Sequence, residues 1–94
     1  MKFLKIIKEF SKKNPNEVCI IKDKKFLTYG EFWGLSLKFA AYLNLKSKKN
    51  KIVCIRENDD FYDYIAIIGT LIAGGTYVPI NKLMPINKVH NIIS

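Results

Sequence analysis

Tyr64–Ile80 runs for seventeen residues without a charge, and Gly74–Gly75 divides it into an apolar segment of helical length and a short run ending Tyr-Val-Pro-Ile. A continuous helix through this run is excluded, because a glycine pair and Pro79 interrupt it. A membrane span is excluded on the same grounds, since a helix needs ~20 apolar residues to cross a bilayer. What remains is a buried helix, a glycine stop and a strand. Ile52-Val-Cys-Ile55 precedes this unit and is fully apolar over the length of a strand, the pattern of a sheet covered on both faces. Arg56–Asn81 therefore reads as a loop, a helix apolar nearly all round and a second strand. Such a βαβ crossover implies a parallel pair with a right-handed connection.

The other elements cover or extend this unit. In Met1–Lys13, Phe3, Leu4, Ile6, Ile7 and Phe10 share one helical stripe, with Lys2, Lys5, Lys8, Lys12 and Lys13 on the other side. That pattern predicts a helix docked on its own domain, ending at Asn14–Pro15. Val18–Ile21 and Phe26–Thr28 are β-favouring runs separated by Lys22-Asp23-Lys24-Lys25, which suits a hairpin without an Asn-Gly turn. Thr28 and Glu31 fit a capping box, with Leu27 and Phe32 placed as the hydrophobic staple. The helix so started should run to about Leu45, with Phe32, Trp33, Phe39, Ala40 and Leu43 on its buried side. Asn58, Asp59 or Asp60 can cap the next helix, and Pro85 is placed to begin a last one over 86–94. The fold class predicted is α/β: an N-terminal helix and β-hairpin followed by a parallel βαβ unit, all within one domain.

Charge narrows the partners. The net charge is +8, but Arg56 is the lone arginine and the lysines are scattered singly or in short groups. Base-edge and phosphate recognition lean on arginine's planar fork, so the lysines read as a solvated surface and nucleic acid is not expected as a partner. Lysines cut the N-terminal apolar residues into pieces too short for a signal peptide. Cys19 and Cys54 lie far apart inside apolar runs, as free buried thiols do, which suits a reducing, cytoplasmic setting. The expectation is a soluble protein with no membrane partner.

Tests for chemistry are largely negative. A phosphate-cradling loop needs glycines at a strand–helix turn, and the turn here is Arg56-Glu57-Asn58-Asp59. His90 is the only histidine and has no cluster of metal-ligand spacing around it. Glu57, Asp59, Asp60 and Asp63 read as a capped helix start rather than an acid–base group. Ser36, Ser47 and Ser94 lack a nucleophile-elbow context. Arg56, at the carboxyl end of a parallel strand, is the best single candidate for ligand contact. On the residues alone, no catalytic, cofactor-binding or metal site is expected.

Two stretches carry a resemblance. Leu27-Thr28-Tyr29-Gly30-Glu31-Phe32 resembles the first core motif of adenylation domains, L-T-Y-x-E-L. Leu71-Ile72-Ala73-Gly74-Gly75-Thr76-Tyr77-Val78-Pro79-Ile80-Asn81 resembles the second, L-K-A-G-x-A-Y-V-P-I-D. The chain departs from the pattern at Asn50-Lys51, where a Gly-Asp pair is usual, at Asn81 and at Lys88. From about residue 3 onward the sequence looks like the start of the large domain of an AMP-forming acyl- or aminoacyl-adenylate synthetase. Leu27, Thr28, Tyr29, Glu31, Gly74, Tyr77 and Pro79 are then structural motif residues.

The resemblance implies activation of a carboxylate or amino acid by Mg-ATP to an acyl-adenylate, followed by transfer to the thiol of a carrier protein or CoA. In that family the phosphate loop, the nucleotide contacts and the catalytic lysine lie further along the chain. Residues 1–94 are therefore expected to be one incomplete N-terminal domain piece, inactive alone and binding no ATP or Mg itself. Its partner would be the remainder of an adenylating enzyme or a second copy. The alternative is a free-standing module that complements or regulates a separate ligase.

Overall fold

The computed structural model describes residues 2–47, 49, 51–56 and 61–80, the Arg56 side chain excepted. The expected helix over 86–94, His90 and the caps at Asn58–Asp60 lie outside the described residues. The order of elements is α1 (Lys2–Lys13), β1 (Val18–Lys22), β2 (Lys25–Thr28), α2 (Tyr29–Lys46), β3 (Ile52–Arg56), α3 (Phe61–Ile72) and β4 (Thr76–Ile80).

β1 and β2 form an antiparallel hairpin in which Lys22 pairs with Lys25, leaving Asp23-Lys24 as a two-residue connection. Primed hairpin turns need a positive φ at the first loop position, and Asp23 supplies it at 57°. Aspartate tolerates this conformation better than most residues, so the turn forms without Asn-Gly. The ladder steps from Val18↔Thr28 to Ile20↔Leu27, which makes Cys19 the extra residue of a β-bulge.

β3 and β4 are parallel, in register from Ile52↔Thr76 to Arg56↔Ile80, as the crossover through α3 requires. α3 packs on this pair and, more extensively, on α2. The hydrophobic core comprises Phe32 and Ala40 of α2, Ile65 of α3 and the carboxyl-end residues Ile55 and Ile80 of the two strands. One expectation is corrected here. Among the described residues the sheet is not covered on both faces, because Ile52 is 66% exposed and Tyr77 37%. α3 is enclosed where burial was expected, over 65–73: Ile65, Gly69 and Thr70 are buried and the others half-buried, while Tyr62 and Tyr64, ahead of that span, are exposed. Apolar content reports how much surface a helix could bury, and the number of neighbours decides how much it does.

The α2–α3 crossing is built from small residues. A Cβ added to Gly69 would fall 2.8 Å from both the Ser36 carbonyl oxygen and Phe39 Cδ2. Ser36 and Thr70 are fully buried, and each hydroxyl donates to a carbonyl one turn back, Ser36 Oγ to Phe32 O at 2.8 Å and Thr70 Oγ1 to Ala66 O at 2.6 Å. Those bonds remove the penalty of enclosing a hydroxyl between two helices. α1 docks on α2 through one side only. Leu4 and Ile7 are half-buried and Ser11 is enclosed, whereas Phe3, Ile6 and Phe10 stay exposed.

Candidate functional site

The first motif forms the entry to α2. Thr28 is the N-cap at φ −82°, ψ 165°, and its Oγ1 accepts from the Glu31 amide at 3.2 Å. Glu31 Oε1 accepts from the Thr28 amide at 2.9 Å, closing the expected capping box. Leu27 is half-buried and Phe32 fully so, as the two ends of a staple should be.

The next two amides are occupied as well. Tyr29 donates to the Glu17 carbonyl at 2.9 Å and Gly30 to the Pro15 carbonyl at 3.0 Å. The Tyr29 ring meets the Phe10 ring edge-on, with centroids 4.6 Å apart, which ties the same turn to α1. A helix N-terminus binds anions through amides left open in its first turn. Here the amides of Tyr29, Gly30 and Glu31 all have partners within the chain, so this end of α2 is not a phosphate cradle.

The second motif forms the exit from α3. Gly74 adopts φ +78°, its amide donates to Leu71 O at 3.0 Å, and the Gly75 amide donates to Thr70 O at 2.9 Å. This pair of bonds is a Schellman motif, and the left-handed residue it needs is the reason for glycine at 74. Gly75 answers a different demand. A Cβ there would fall 2.6 Å from the Lys51 carbonyl oxygen, the same oxygen that accepts from the Thr76 amide at 2.7 Å. The stop therefore feeds β4 directly into its pairing with β3. Tyr77 and Pro79 follow within β4, opposite Val53 and Ile55.

Arg56 ends β3 opposite Ile80, at the carboxyl edge of the parallel pair. Its side chain lies outside the described residues, as do Glu57, Asp59 and Asp60, so the acidic group cannot be assembled; Asp63 stands in the first turn of α3. Among the described residues no group of three His, Cys, Asp or Glu could hold a metal ion. Cys19 and Cys54 are unpaired and half-buried rather than fully buried, and burial pushes the Cys19 thiol up from 9.0. No described helix is long and apolar enough to cross a membrane.

Among the described residues, two of the surface hollows stand out. One of about 690 Å³ lies between the hairpin turn, with Lys22, Asp23, Lys24 and Lys25, and the start of α3, with Phe61 and Tyr62. The other, of about 350 Å³, follows the chain from Lys13 to Val18. Neither set of lining residues brings a nucleophile to a base. Sequence reasoning had missed the crossing residue Gly69 and the buried hydroxyls Ser36 and Thr70. Their one signal was small residues at helical spacing inside otherwise bulky runs.

The comparisons with known proteins agree with this geometry. The sequence matches the family described as AMP-binding enzyme over residues 7–94. It is 32% identical over 87 residues to tyrocidine synthase 3 of Brevibacillus parabrevis, covering 92% of this chain and 1% of that protein. It is 22% identical over 95 positions to the D-alanine–D-alanyl carrier protein ligase of Bacillus licheniformis, covering 100% of this chain and 19% of the ligase. The solved N-terminal subdomain of Klebsiella oxytoca NpsA superposes with a TM-score of 0.82 at 26% identity, over 96% of this chain and 24% of that subdomain. The chain thus spans a small part of the relatives it matches, and its two motifs occupy a capped helix entry and a glycine-stopped exit. By sequence and by fold, it belongs to the AMP-binding enzyme family.

Proposed function

We propose that this chain forms the N-terminal scaffold of an AMP-forming ligase. The full enzyme would activate a carboxylate or amino acid with ATP and Mg as an acyl-adenylate, then pass the acyl group to the thiol of a carrier protein or CoA. Family membership supports the reaction class, and the matched D-alanyl carrier protein ligase supports a carrier protein as acceptor. The observation that carries the scaffold role is the occupied N-terminus of α2. Tyr29, Gly30 and Glu31 give their amides to Glu17, Pro15 and Thr28, so the motif orders the chain and these first-turn amides are not free for a nucleotide. Leu27, Thr28, Tyr29, Glu31, Gly74, Tyr77 and Pro79 accordingly act by holding α2, α3 and β4 in place. ATP and Mg would be held by residues beyond these 94, as one domain completed by further chain, and two free thiols fit a cytoplasmic setting.

The test is ATP–pyrophosphate exchange with magnesium and a broad panel of carboxylic and amino acids. The isolated chain should give none, and reproducible exchange above a boiled control would sink the scaffold reading.

A second reading has its own support. β3 and β4 pair only with each other among the described residues, so backbone donors and acceptors line both edges of a small parallel sheet. A free-standing module could complete a separately encoded ligase through those edges. Recovery, in a pull-down with this chain, of a ligase lacking the matched segment would favour complementation. A contiguous reading frame encoding a Ser/Thr/Gly-rich phosphate loop would favour a single polypeptide.

A further inference from the structure

We draw no further inference here: the strongest candidate, the hollow of about 690 Å³ between the hairpin turn at Lys22–Lys25 and the start of α3 at Phe61 and Tyr62, lies open in a chain that covers 19% of the matched carrier protein ligase, and nothing in the structure shows what covers it.

Discussion

Gly69 lies against Phe39 with no room for a methyl group: a Cβ at Gly69 would stand 2.8 Å from Phe39 Cδ2 and 3.0 Å from Phe39 Cβ. The Ser36 carbonyl closes the other side at 2.8 Å. Alanine favours a helix interior over glycine by about 1 kcal/mol, but overpacking against a fixed backbone costs about 1–3 kcal/mol. Gly69→Ala should therefore lower stability by about 1 kcal/mol and Gly69→Val by about 2 kcal/mol or more. Gly34 has no atom within 4 Å of a built Cβ, so Gly34→Ala in α2 should raise stability by about 0.5–1 kcal/mol. Urea unfolding of the three variants checks both signs at once.

Thr28 and Glu31 form a reciprocal pair, so their losses should not add. Each alanine substitution is expected to cost about 1 kcal/mol, and the double variant less than the sum of the two. A double-mutant cycle showing simple additivity would mean that the two bonds at 2.9 and 3.2 Å are energetically separate.

Gly74→Ala tests the exit from α3. Forcing a Cβ into φ +78° costs about 1–2 kcal/mol, and the site is otherwise open, with nothing within 4 Å. The loss should appear in full, without the packing contribution that complicates Gly69. An unchanged unfolding midpoint would mean that the Schellman turn rearranges freely.

How much of this was legible before the structure follows from the range of each interaction. Thr28–Glu31 and Gly74–Gly75 are local devices whose partners lie within five residues, and both were placed correctly. The parallel pairing of β3 with β4 was also readable, because a crossover of this length allows few topologies. What sequence could not supply was the neighbour of each face. Ile52 and Tyr77 have the composition of covered strand residues and stand exposed, and Phe3 and Ile6 look like docked residues and stand exposed too. The occupied amides of Tyr29 and Gly30 depend on where Pro15 and Glu17 pass, a contact between segments that no periodicity announces.

Ser11 is enclosed, and its Oγ has no hydrogen-bond partner among the described residues. A buried hydroxyl in that state costs about 1–3 kcal/mol, while alanine keeps most of the volume and favours the helix. Ser11→Ala should thus be neutral or stabilising by about 1 kcal/mol in thermal unfolding. A clear loss would reveal a partner for the hydroxyl.

Cys19 gives a pH signature. Burial raises its thiol pKa in the folded state above 9.0, so the folded protein holds this proton more tightly than the unfolded chain. The contribution to stability is fully present below 9.0 and is lost as pH rises through the raised folded value. Cys19→Ala should accordingly show a shallower alkaline decline in unfolding free energy than the parent. Identical slopes would contradict a desolvated thiol.

The central claim is that the two motifs build a scaffold in which the turn amides of Tyr29, Gly30, Glu31, Gly74 and Gly75 are already engaged within the chain. A titration of the 15N-labelled chain with Mg-ATP, followed by amide chemical shifts, tests it most directly. The amides of Tyr29, Gly30, Glu31, Gly74 and Gly75 should stay in place at every concentration, because each already has a carbonyl or hydroxyl partner or lies inside the turn. Saturable shifts of Tyr29, Gly30 and Glu31 on adding Mg-ATP would contradict the account.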